Sequence, residues 1–105
     1  MPDILPYIAD SAEVSSTASL ELDVVKTLGS VANVGWITCD DGDIYVQIND
    51  RGNIKIPLLS DEVILFKKED LWTIKYLYIT TDSATALTVR YFLRSFVVKI
   101  MEAKL

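Results

Sequence analysis

A chain of 105 residues has the length of one domain, and half of its residues are apolar, so it can bury one core and still leave apolar side chains at its surface. Its net charge of −5 argues against a general phosphate-binding surface, which needs clustered Lys and Arg, and no nucleic-acid partner is expected. The chain has no histidine and one cysteine, which excludes Ser-His-Asp and Cys-His catalysis, histidine metal sites and an internal disulfide.

Residues 1–17 contain Pro2, Pro6, three acidic residues and the run Ser15, Ser16, Thr17. They read as an N-terminal arm whose Ile4, Leu5, Tyr7 and Ile8 can dock on a neighbour. Asp3 stands where a signal peptide would be basic, and Arg90, Arg94 and Lys99 interrupt the most apolar region. Neither export nor a membrane span is expected, and the default site is cytoplasmic.

From Ala18 onward the chain alternates, with Leu20, Leu22 and Val24 against Glu21 and Asp23, the period of a half-buried strand. A loop over 28–33 leads to a second strand, Val34 to Cys39. Asp40, Asp41, Gly42 and Asp43 then separate it from Ile44 to Asn49, and an Asp-Gly pair between two apolar runs predicts a hairpin. Ile44, Val46 and Ile48 form the inward set. Asp50, Arg51 and Gly52 predict another turn into Ile54 to Leu58, completing an antiparallel meander, with Pro57 marking a strand end or a sheet edge.

Val63 to Phe66 is short and apolar on both faces. Lys67 to Asp70 connects it to Leu71–Thr81, whose aromatic and β-branched residues predict a central strand. After a turn over 81–85, Leu87, Val89, Tyr91 and Leu93 point inward on a final strand, with Thr88, Arg90 and Phe92 outward. Phe96, Val97, Ile100 and Met101 fit a short amphipathic C-terminal helix, and Phe96 to Ile100 fit a continued strand equally well. The pattern predicts an all-β fold: an antiparallel jelly-roll-like β-sandwich of seven or eight strands over 18–93, in a single domain with a tail over 94–105.

Cys39 lies in an apolar run with no histidine to activate it and is expected as a small buried hydrophobe. Asp40, Asp41, Asp43 and Asp50 could offer oxygens to calcium, but their spacing does not match a calcium loop and turn chemistry accounts for them. Trp36, Tyr45, Trp72, Tyr76, Tyr78 and Tyr91 could form a platform for carbohydrate, the competing role being core and interface packing. Charge is divided along the chain: residues 1–50 carry nine acidic and one basic side chain, and residues 51–105 carry six acidic and nine basic. Two solvated faces account for such a division, as does pairing with a partner or another copy.

The runs DGDIYVQINDRGNIKIPLLSDEVILF and EDLWTIKYLYITTDSATALTVRY, within residues 34–93, resemble small β-sandwich virion proteins of tailed phages and related viruses. The likeness is one of strand order and carries no site residues. It implies a structural subunit of a particle, as a decoration, head-tail or tail component present in many copies. The expectation is therefore a non-enzymatic, self-associating subunit, located in a virion or else in the cytoplasm, with other structural proteins as further partners. No catalytic, cofactor or metal site is expected, and Tyr7, Ile8, Trp72, Tyr76, Phe96 and Ile100 are the candidate interface residues. The alternative is a ligand-binding module that uses an aromatic platform, with carbohydrate as the candidate ligand.

Overall fold

Two apolar side chains in every four residues require a strand to cover one face, and the chain meets that requirement by stacking two sheets. The computed structural model describes residues 7–96. They form β1 (Tyr7–Val14), β2 (Leu20–Asp23), α1 (Val24–Leu28), β3 (Val34–Cys39), β4 (Ile44–Ile48), β5 (Ile56–Leu58), β6 (Val63–Phe66), β7 (Tyr76–Thr80) and β8 (Leu87–Arg94). Sheet I has the order β1-β8-β3-β6 and sheet II the order β2-β7-β4-β5. The fold is an all-β sandwich of eight strands, as the alternation predicts.

The pairing is nested. β1 lies beside β8, β2 beside β7, β3 beside β6 and β4 beside β5, each antiparallel. One long hairpin, closed between β4 and β5, is thus rolled so that successive pairs alternate between the two sheets, which is the jelly roll. Ile37, Cys39, Val89 and Leu93 from sheet I meet Ile44, Val46, Leu77 and Ile79 from sheet II in a fully buried core. Each such aliphatic side chain contributes roughly 1.5–3 kcal/mol on burial.

Four expectations are corrected. Residues 7–14 are not an arm: they pair with β8 over the whole of β1, from Tyr7 opposite Arg94 to Val14 opposite Leu87. The Asp-Gly hairpin does not form, because β3 belongs to sheet I and β4 to sheet II. Residues 40–43 cross between the sheets, and only β4 and β5 of the expected meander are neighbours. The aspartates there fasten the crossing: Asp41 accepts the Thr88 N–H at 3.2 Å, Asp43 accepts the Ser60 N–H at 2.8 Å, and Asp40 pairs with Arg90. Gly42 is closely packed, since a Cβ there would lie 2.6 Å from Leu87 Cδ1 and displace the end of that side chain.

Val24 is helical, not the end of a strand. Asp23 caps α1 by accepting the Lys26 N–H at 3.1 Å, Gly29 closes it at φ 75°, and Val24 and Leu28 enter the core from one side of the turn. The central strand is also shorter than Leu71–Thr81. Leu71 closes a 3₁₀ turn over Lys68–Asp70 at φ 58° and is 83% exposed, so the strand begins only at Tyr76. β7 nonetheless lies inside sheet II, between β2 and β4. Pro57 lies on β5, an edge strand, where its missing N–H is tolerated. Of the expected C-terminal helix or continued strand, Phe96 is described and lies in neither, and the rest falls on 97–105, outside the described residues.

Candidate functional site

Strand parity sets what each sheet shows to the outside. On sheet I the registers align Ala9, Phe92, Trp36 and Leu65 in one row across all four strands. A neighbouring row runs through Tyr7, Arg94 and Val34, and another through Ser11, Arg90, Thr38 and Val63. Phe92 is flanked by Trp36, stacked at 6.5 Å between ring centres, and by Tyr7 at 5.9 Å. Tyr7 is 50%, Trp36 37%, Val63 57% and Leu65 54% exposed. An aromatic and aliphatic surface therefore runs without a break from β1 to the β6 edge. Large apolar side chains left in one contiguous patch mark an interaction surface.

Sheet II shows a different outer face. Tyr76 and Tyr78 stack at 6.2 Å, and Tyr45 lies across the sheet from Thr80. The β4–β5 connection folds back over them: Gln47 donates to the carbonyls of Arg51 and Asn53, at 2.5 and 2.9 Å, and is buried by this cover. Arg51 then sits 5.0 Å from the centre of the Tyr78 ring while pairing with Glu21 at 2.5 Å, and Lys55 lies 5.7 Å from the centre of Tyr45. Cations occupy ring faces that a sugar would need.

The six aromatic residues considered as a platform do not share a surface. Trp36 is on sheet I, and Tyr45, Tyr76 and Tyr78 are on sheet II. Tyr91 is buried between the sheets, where burial, with a smaller contribution from Asp10, raises its phenol above the ordinary value. Trp72 sets its ring against Phe66, edge to face at 5.1 Å. Its Nε1 is covered and has no hydrogen-bond partner among the described residues.

The candidate interface residues separate in the same way. Tyr7 joins the sheet I surface. Ile8 does not, because one residue further along β1 it points into the core. Trp72 is half-buried, Tyr76 belongs to sheet II, and Phe96 is tied down just beyond β8 with Lys68 and Arg94 over its ring. Ile100 lies outside the described residues. The interface selection omits Trp36, Phe92, Val63 and Leu65. Their signal is the outward parity of Phe92 and the two-faced apolarity of Val63 to Phe66.

The connections 15–19, 40–43, 59–62 and 81–86 all cross between sheets at one end, where hydrogen bonds join Ser16 to Ser83, Ser60 to Asp40 and Asp43, and Thr81 to Asp43. Asp40, Asp41, Asp43, Asp61, Glu62 and Asp82 gather there, whereas the opposite connections carry Lys26, Arg51, Lys55, Lys67, Lys68 and Lys75. The two ends thus differ in charge, although Asp50, Glu69 and Asp70 also lie on the opposite connections. The difference does not follow the division along the sequence, because Asp61, Glu62 and Asp82 come from its second half. A shallow depression of about 290 Å³ at the acidic end is lined by Asp43, Tyr45, Thr81, Asp82 and Ser83. Its polar groups are largely engaged with one another: Thr81 donates to the Asp43 carbonyl at 2.8 Å, and Tyr45 donates to Asp82 at 3.2 Å, a bond that raises the tyrosine phenol. Among the described residues no group of three or more acidic or cysteine side chains is arranged to hold a metal ion.

No known protein family matches the chain, and comparisons with curated proteins and with solved structures find no significant match. The class defined by the topology is the eight-stranded jelly roll.

Proposed function

We propose that the protein is a non-enzymatic structural subunit that associates with further copies of itself through sheet I. The observation that carries this reading is the continuous outer surface of Tyr7, Phe92, Trp36, Val63 and Leu65, exposed on a domain whose core is already complete without it. Covering that surface with a second copy removes apolar area from water at roughly 25 cal/mol per Å². The resemblance of residues 34–93 to small β-sandwich virion proteins supports a place in a particle, as a decoration, head-tail or tail component.

Sedimentation velocity from micromolar to millimolar protein tests the reading. The expected result is concentration-dependent association of the wild-type chain, lost or much weakened in the doubly substituted Tyr7→Glu, Trp36→Glu protein. A wild-type chain that stays monomeric throughout overturns it.

A further inference from the structure

A two-sheet sandwich has four edge strands, and each presents unpaired N–H and C=O groups that can template another strand. Here β1 carries Asp10 and Glu13, β2 carries Glu21 and Asp23, and β5 carries Pro57. Asp10 also stands opposite Tyr91, on the core-facing side of β1, so its charge points where an added strand would need an apolar partner. Charge and proline are the usual devices against edge pairing. Among these four strands β6, with the sequence Val63, Ile64, Leu65, Phe66, alone has neither.

We propose that β6 is the strand through which two copies join, antiparallel about a two-fold axis, to make one continuous sheet of eight strands. This rests on the self-association stated above and adds to its outer-face contact a second one, at the edge of sheet I. A two-fold axis normal to the sheet keeps the outer faces of both copies on one side, so facing residues must have the same parity. Centred on Ile64, the pairing sets Ile64 against its own copy and Val63 against Leu65 twice, matching exposed apolar side chains on the outer face. The charges match as well. Asp61 and Glu62 precede the strand and Lys67 and Lys68 follow it, so an antiparallel copy brings the acidic end of each strand to the basic end of the other. Lys67 remains extended, at φ −102° and ψ 144°, and the two-fold register sets it beside the turn of the other copy that holds Asp61, at φ 69°.

A head-to-tail arrangement, with β6 beside β1 of the next copy, lacks this fit. Of the two same-parity registers that place all of β6 within β1, one sets Asp10 against Ile64. The other sets Asp10 against Phe66 and Glu13 against Val63. Each sets Asp10, well inside the paired strands, against an apolar side chain, which is costly. The two-fold register sets Glu62 against Phe66, but at the margin of β6, where Glu62 already accepts the Leu59 N–H at 2.8 Å. The self-complementary edge is the better partner.

The test is crosslinking of the full chain by one introduced cysteine at a time under mild oxidation, with the wild type and its buried Cys39 as the control, followed by sedimentation. Facing Cα atoms of an antiparallel pair are about 4.5–5.5 Å apart, inside the span of a disulfide. The proposed register therefore predicts that Ile64→Cys forms a covalent dimer. The two Leu65 positions are offset along the strands by two residues and lie about 8 Å apart, so Leu65→Cys should not crosslink. Val63→Lys with Leu65→Lys, both at exposed positions, should weaken association at least about tenfold while leaving the thermal midpoint of dilute protein unchanged. Association of the wild type that survives this pair, with no crosslink at Ile64, overturns the edge pairing and leaves the structural-subunit reading standing. Crosslinking at Leu65 but not at Ile64 overturns the register. A strictly monomeric wild type overturns both readings.

Discussion

Asn33 and Phe96 bond to each other twice: the Asn33 amide donates to the Phe96 carbonyl at 2.7 Å, and its oxygen accepts the Phe96 N–H at 2.6 Å. A side chain thereby takes the role of a strand neighbour two residues past the end of β8. Replacing it with alanine leaves both Phe96 backbone groups without these partners. Asn33→Ala should cost about 1–2 kcal/mol in denaturant unfolding. It should also speed tryptic cleavage after Arg94, read by mass spectrometry of the native protein.

Gly35 lies inside β3 at φ +152°, and a Cβ at that position would come within 1.9 Å of the Phe92 carbonyl oxygen. That oxygen is backbone in an adjacent strand and cannot swing aside. Gly35→Ala is expected to destabilise the fold by about 3 kcal/mol or more, at the upper end of overpacking effects. Chemical denaturation measures this directly, and a loss below about 1 kcal/mol would show that β8 moves away at little cost.

Adjacent residues of β7 face opposite sides. Leu77 is fully buried and Tyr76 is 39% exposed. Leu77→Ala should cost about 2–5 kcal/mol and Tyr76→Ala about 1 kcal/mol or less. Similar losses at both positions in parallel denaturant titrations would mean that the outer face of sheet II is more deeply covered than its exposure indicates.

Asp41 holds the crossing loop to β8, and the hydrogen bond from the Thr88 N–H keeps its carboxyl below the ordinary value of 3.8. A carboxyl whose folded pKa is lowered stabilises the fold above its unfolded pKa and loses that contribution as the pH falls through the folded value. The contribution should therefore be complete above about pH 4 and decline below it. In denaturation midpoints followed downward from pH 5, the gap between wild type and Asp41→Asn should narrow as the acid range is reached. A gap independent of pH would assign the effect to the loss of shape.

The Cys39 thiol is buried and donates to Asp41 at 3.3 Å, and burial, aided by that bond, pushes its pKa from 9.0 up to about 11. Its protonated form is favoured by the fold, so this contribution is whole below the unfolded value and is lost as the pH rises through the folded one. A disulfide reagent at pH 8 should leave the native protein unmodified and titrate one thiol per chain after unfolding. Prompt reaction of the native chain would show that the loop over 40–43 opens readily.

Alternation along single strands carried most of the fold's legibility. Leu87, Val89, Tyr91 and Leu93 are buried and Thr88 and Arg90 exposed, as their period of two requires, and Ile44, Val46 and Ile48 face the core. Sheet membership is a different matter. Nothing between Cys39 and Ile44 distinguishes a hairpin from a crossing, because an Asp-Gly pair suits either and the deciding contacts, Asp41 with Thr88 and Gly42 with Leu87, come from residues more than forty positions away. The sheet I surface was half legible for the same reason. Phe92 could be placed outward from its own strand, but its proximity to Trp36 and Tyr7 depends on three strands coming together.

The nested order of strands also governs how the chain can be made. β4 and β5 can pair as soon as both have left the ribosome, whereas β1 must wait for β8, its one neighbour among the described strands. Closure over such long separations is slow, and the apolar residues of β3 stay uncovered meanwhile. Termination anywhere before Leu87 removes the strand that both β1 and β3 pair with. A chain cut between Thr80 and Leu87 keeps all its sheet II sequences and leaves β1 and β3 of sheet I without their shared neighbour.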